Sequence, residues 1–173
     1  MVNNIMILGI NRKVSRQVSE MLAEQLQMHF LDIIELFEFD NIPRSLSDVL
    51  GLKGERYYRE KEVGLNKYVS SFENTVIHGE SGAVLKSKNI KNVKNNCLVV
   101  YIHFPAAQVK KFLSVQDYKT KQLKKFFNVS LDRIKRRVEL LKKNADISIT
   151  GTGKSSFKIT SEILRAMDSY FLK

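Results

Sequence analysis

The sequence predicts an α/β fold in which a parallel sheet carries helices on both faces. Short apolar runs of strand length alternate with longer segments whose apolar residues recur at helical spacing, as in successive strand–helix–strand units. The 173-residue length suits a single domain with a substantial core. A hydrophobic content of 43% with 27% charged residues is that of a folded globular chain, which excludes the disordered and fibrous classes.

Each element has its own reason. Asn4-Ile5-Met6-Ile7-Leu8 is a short apolar strand ending at Gly9, after which Val14, Val18, Met21 and Leu22 fall at helical spacing. Phe30-Leu31 reads as a second strand, and residues 45–50 open a helix before Gly51. Residues 55–72 place Tyr58, Val63, Leu65, Tyr68 and Val69 in a charged background, the pattern of a long amphipathic helix. Thr75-Val76-Ile77 is a strand of the buried type, residues 98–102 form the clearest strand, and residues 107–113 return as a helix. Ile134, Val138 and Leu141 recur at i, i+4 and i+7 and mark a further helix; residues 146–150 are the last strand and 157–172 the last helix.

Charge is unevenly spread. Residues 1–86 hold 10 Lys and Arg against 12 Asp and Glu, whereas residues 87–173 hold 19 against 6, so the net +11 lies in the second half. The clusters are Lys119, Lys121, Lys124 and Lys125, then Arg133, Lys135, Arg136, Arg137, Lys142 and Lys143. Such a half attracts phosphates, nucleic acid or acidic protein surfaces, and the plain alternative is a solvated helix face. No apolar stretch approaches the ~20 residues of a membrane span. The first segment lacks a basic leader, and Cys97, alone in an apolar run, excludes a disulfide framework and a cysteine metal site. A cytoplasmic setting without a membrane partner is the expectation.

In sheets of this kind ligands sit at the carboxyl ends of strands, where helix N-termini favour anions. The first such turn, Gly9-Ile10-Asn11-Arg12-Lys13-Val14-Ser15, carries one glycine, whereas a phosphate-cradling loop needs several and then Lys with Ser or Thr. Gly151-Thr152-Gly153-Lys154-Ser155 contains G-K-S after a strand, but the earlier glycine of the full motif is Ser148, within that strand. It is expected to be a glycine turn with a helix N-cap.

Gly54-Glu55-Arg56-Tyr57-Tyr58-Arg59-Glu60-Lys61-Glu62 resembles the G-E-x-x-F-R-x-x-E signature of the shikimate kinase family, with Tyr58 in place of Phe. Other segments resemble the family in the same order. Residues 5–32 resemble its opening strand, loop, helix and "F-[IL]-D-x-D" strand end; residues 76–85 its "V-I-A-T-G-G-G-A-V-L"; residues 98–102 its fourth strand; and residues 144–164 its "A-D…E-I-L" ending. The resemblance covers nearly the whole chain. It implies a three-layer P-loop kinase-like fold with a central parallel five-stranded sheet flanked by helices. It further implies one domain over residues 1–173, a substrate-binding-like subdomain at about 33–62 and a lid-like segment at about 114–127. In that family ATP, with Mg²⁺, donates its γ-phosphate to the 3-hydroxyl of shikimate, by positioning and charge neutralisation.

Carried over residue by residue, the resemblance is uneven. Gly9, Arg12, Lys13, Ser15 and Arg16 occupy the nucleotide loop, with the loop Lys falling on Ser15, its following Ser/Thr on Arg16 and the later glycines on Arg12 and Val14. Asp32 matches the first Asp of D-x-D, near Mg²⁺, and the second is Ile34. On the substrate side, Arg59 matches the Arg that grips the shikimate carboxylate, a role suited to a planar bidentate donor. Arg137 matches the second such Arg, with Arg136 competing for the place. In the glycine triplet, Glu80 and Ser81 replace two glycines and Gly82 remains; a carboxylate beside a site for an anionic ligand is unfavourable unless it pairs with a nearby Arg, and a bond from Glu80 to Arg59 is one way to satisfy this. The lid's Arg-Pro pair falls near Lys119, and His78, at a strand end, is read as structural with a general base as the alternative. The resulting expectation is a shikimate-kinase-like protein, catalytically impaired, with a partly retained carboxylate or anion site. One alternative is an active divergent kinase in which Lys13 or Arg16 replaces the missing Lys. Another is a basic module for nucleic acid or an acidic partner. No catalytic residue or metal ligand is assigned, and ATP and Mg²⁺ enter only with the active-kinase alternative.

Overall fold

A computed structural model describes residues 3–41, 45–115 and 130–172. Five strands, β1 (Asn4–Gly9), β2 (His29–Asp32), β3 (Thr75–His78), β4 (Cys97–His103) and β5 (Ile147–Thr150), form one sheet in the order β2-β3-β1-β4-β5, with every pair parallel. Around it lie α1 (Arg12–Leu26), α2 (Ile33–Asp40), α3 (Leu46–Val69), α4 (Ser87–Lys94), α5 (Ala106–Val115), α6 (Leu131–Asn144) and α7 (Ser156–Phe171), with a short 3₁₀ helix at Ser81–Leu85. The expected α/β fold is present.

β1 is buried throughout and β4 nearly so, which is why both read as continuous apolar runs: a central parallel strand meets helices on both faces. Register sets the site. Asp32 pairs with His78 across β2 and β3, and His78 pairs with Ile7 across β3 and β1, so the carboxyl ends of three strands converge.

Two expectations about helices are corrected. The helix opening at residue 45 runs through Gly51 and breaks instead at Gly54, whose φ of 76° lies in the left-handed region that glycine enters at little cost. Its start is a capping box in which Ser45 and Asp48 bond each other's backbone N–H. α2 and α4 were not expected as helices. α2 is nucleated by Asp32, whose side chain accepts the N–H groups of Ile34 and Glu35, and α4 buries little more than Asn89, Ile90 and Val93, too few for a visible period. The lid-like segment, Lys119 included, lies outside the described residues from position 116 onward. No helix among the described residues is long and apolar enough to cross a membrane.

Gly151-Thr152-Gly153-Lys154-Ser155 is a turn, with Gly153 at φ 69° and Ser155 capping α7. A Cβ on Gly151 would stand 2.3 Å from the Phe104 ring, so the glycine serves packing. Gly151→Ala is expected to destabilise the chain by about 1–3 kcal/mol, read as a lower urea midpoint; unchanged stability would mean the turn has room for another occupant.

Candidate functional site

Helix α1 begins at Arg12, capped by Asn11, whose Oδ1 accepts the N–H of Val14. Arg12, Lys13, Ser15 and Arg16, assigned from sequence to a loop, are therefore helical, and only Ile10 and Asn11 connect strand to helix. The reason is local: beyond Gly9 no glycine holds the backbone out of helical geometry. Gly9 itself admits the helix, because a Cβ there would stand 2.9 Å from the Cβ of Ser15. Lys13 is exposed.

The first centre is Asp32. Arg12 Nη2 donates to both its oxygens at 2.9 and 2.8 Å, Arg16 Nη1 to Oδ2 at 3.0 Å, and the backbone N–H of Ile34 to Oδ1 at 2.9 Å. His78 Nδ1 lies 2.7 Å from Oδ2, and its Nε2 lies 3.0 Å from Ser15 Oγ. Burial opposes ionisation of Asp32, but the His78 hydrogen bond and the charge of Arg12 outweigh it and hold the carboxyl well below the usual range. An ionised carboxylate only accepts, so geometry assigns the imidazole proton to Nδ1 and makes Nε2 an acceptor for the Ser15 hydroxyl. Burial, then the nearby arginines, keep His78 neutral against the pull of Asp32. Ser15, His78 and Asp32 thus stand in line, but Ser15 is 1% exposed and its Oγ also lies 3.1 and 3.2 Å from the carbonyls of Asn11 and Arg12. The chain of bonds locks α1 onto the sheet.

These residues do not fit Mg²⁺. The Asp32 oxygens are engaged, and two guanidinium groups stand where a cation would approach. Among the described residues no cluster of three or more His, Cys, Asp or Glu is disposed to hold a metal ion. In the connection itself Asn11 takes the Val14 N–H, and Arg16 is further paired with Glu20 and Glu35.

The second centre is Arg59, which is 7% exposed. Its Nη1 donates to Glu80 Oε2 and Glu62 Oε1, each at 2.9 Å, and its Nε to Glu55 at 3.4 Å. The expected Arg59–Glu80 pair is present. Glu80 Oε2 also accepts the Gly82 N–H at 2.6 Å, and Glu80 Oε1 accepts Ser81 Oγ at 3.2 Å. Gly82 gives these groups room: a Cβ would stand 2.4 Å from both Arg59 Nη2 and Glu80 Oε2, so the pair would have to shift to admit one. Of the two arginines left open from sequence, Arg137 is buried and reaches Ser81 Oγ at 3.5 Å, whereas Arg136 is exposed. Arg137 Nε meets no hydrogen-bond partner among the described residues. Sequence reasoning assigned no role to Glu62, although it closes the very signature that points to Arg59 and stands three residues on, on the same helix face.

Burial pushes the Glu62 carboxyl up to about 7 against the charge of Arg59, and Glu80 adds to the rise. A raised folded value stabilises the protein fully below the unfolded value of 4.5 and loses that contribution as pH rises through about 7. Glu62→Gln is expected to flatten the fall in stability across this window, measured by urea unfolding at stepped pH; an unchanged slope would contradict the assignment.

A family model described as shikimate kinase matches residues 16–168. A shikimate kinase of Persephonella marina is 30% identical over 166 residues, covering 94% of this chain and 98% of its own. Among solved structures, the shikimate kinase of Aquifex aeolicus has a TM-score of 0.78 and 28% identity, covering 98% of each chain. That of Acinetobacter baumannii, in complex with shikimate, has a TM-score of 0.80 at 22% identity, covering 100% of this chain and 97% of its own. With a family model matched along most of its length and a relative so similar from end to end, the chain belongs to the shikimate kinase family.

Proposed function

We propose that the chain is a shikimate kinase family member that does not carry out phosphoryl transfer and that partly retains, at Arg59 and Arg137, the donor cluster of a carboxylate or anion site. The carrying observation is the state of Asp32: where the family would place metal and phosphate, its oxygens are bonded by Arg12, Arg16 and His78. Phosphoryl transfer rests on positioned charge, and loss of one such electrostatic group alone costs ~10²–10³ in rate in other enzymes. Retention of anion binding is supported by Arg137, a buried cation whose Nε has no partner among the described residues.

A second reading is favoured by the relatives. Proteins named shikimate kinase align along nearly the whole chain, and on that ground alone transfer of the ATP γ-phosphate to the shikimate 3-hydroxyl is the better supported activity. It requires Lys13, or Arg16 released from Asp32, to bind the nucleotide. The exposed Arg133, Lys135, Arg136, Lys142 and Lys143 of α6 supply the basis for a third reading, an acidic partner, whose binding would weaken steeply with salt.

Incubation of the purified chain with shikimate and MgATP, with mass spectrometry for shikimate 3-phosphate, separates the first two. The expected result is no product above the uncatalysed background. Product that disappears in Arg59→Ala would establish the kinase reading.

A further inference from the structure

We propose that Glu80 is a tethered ligand: its carboxylate occupies a carboxylate-recognition site built by Arg59, Ser81 and the backbone N–H of Gly82, and closes that site to carboxylates from solution. The inference rests on the reading of the Arg59–Arg137 cluster as an anion site.

The donor set is that of a receptor for a carboxylate. One oxygen of Glu80 receives a guanidinium N–H at 2.9 Å and a backbone N–H at 2.6 Å, and the other receives a hydroxyl at 3.2 Å. The backbone donor belongs to the first turn of a 3₁₀ helix that Glu80 itself caps, so the carboxylate is held to its donors by only three side-chain bonds. Tethering removes most of the entropic cost of association, so a free carboxylate competes at a disadvantage. Glu80 is 4% exposed, and its position in the family pattern is glycine, which carries no side chain to fill the place.

Two features distinguish occupancy from an ordinary ion pair. Arg59 Nη1 also donates to Glu62 at the same 2.9 Å distance, so the guanidinium is shared between two carboxylates and is not held by Glu80 alone. Arg137 adds a second buried cation beside the same serine hydroxyl. Arg59 and Arg137 thus face the buried carboxylates of Glu62 and Glu80, with the exposed Glu55 at the rim, and removal of Glu80 takes away one buried negative charge and leaves its donors aimed at the vacated place. The groups facing Glu80 are Arg59, Glu62 and Tyr58 of α3, Ser81 and Gly82, and Arg137 of α6.

Isothermal titration with shikimate, and separately with acetate, tests the assignment in four chains: native, Glu80→Ala, Glu80→Asp and the Arg59→Ala/Glu80→Ala double variant. The expected result is no saturable binding to the native chain and saturable binding to Glu80→Ala, tighter by at least about tenfold, as a charge-assisted hydrogen bond exchanged between ligands implies. The double variant is expected to lose it. Glu80→Asp keeps the cap and the charge but draws the carboxylate back by one methylene, so binding is expected there too, and it decides the question if Glu80→Ala does not fold. Native binding equal to that of Glu80→Ala, or no binding by either folded single variant, overturns the proposal. Native binding without turnover overturns only the role of Glu80; native binding with turnover overturns the proposed function as well.

Discussion

A guanidinium drawn out of water needs an anion, and Arg59, Arg12 and Arg16 each find one within the chain. Asp32 at the end of β2 receives Arg12 and Arg16 from α1; Glu80 just beyond β3 receives Arg59 from α3. The two carboxylates stand at neighbouring strand ends, and each ties a helix to the sheet. Removing either would leave charge in a poorly solvated place, which is far more costly than the pair is stabilising. The carboxyl end of the sheet is therefore held together by ion pairs within the chain.

At both centres side chains close to the strand ends set the arrangement. Beyond Gly9 no glycine draws the backbone out of helical geometry, and α1 extends back to its Asn11 cap. That extension carries Arg12 and Arg16 to Asp32 and Ser15 to His78. At the second place Glu80 and Ser81 stand where the family pattern has glycines, and their side chains fill what bare backbone would leave open. The apolar core of the family fold continues up to these strand ends, with Ile33, Ile34, Ile77 and Tyr58 packed beside the charged residues.

Much of the fold was legible because burial on both faces writes itself as continuous apolar runs, as in β1 and β4, and because Val18 and Leu22 keep helical phase. α2 and α4 were not, since one depends on a cap from Asp32 and the other buries too short a face. In the site, the Arg59–Glu80 pair followed from charge compensation, which sequence order exposes. The capture of Asp32 by Arg12 and Arg16 did not, because it depends on the residue at which α1 starts and on the face that this start turns toward the end of β2. The choice of Arg137 over Arg136 likewise required knowing which face of α6 is buried; Ile134, Val138 and Leu141 mark that face, and Arg137 shares it.

The claim that internal carboxylates occupy the arginines is tested most directly by carbon-detected NMR titration of the Glu80 side-chain carboxyl. Burial raises its value, but the charges of Arg59 and Arg137, with the bonds from Arg59 and Gly82, hold it down to about 2. The account predicts that Glu80 stays ionised as pH falls to that region, after the exposed glutamates have titrated. Titration of Glu80 together with exposed glutamates would show the carboxylate in solvent and contradict the account.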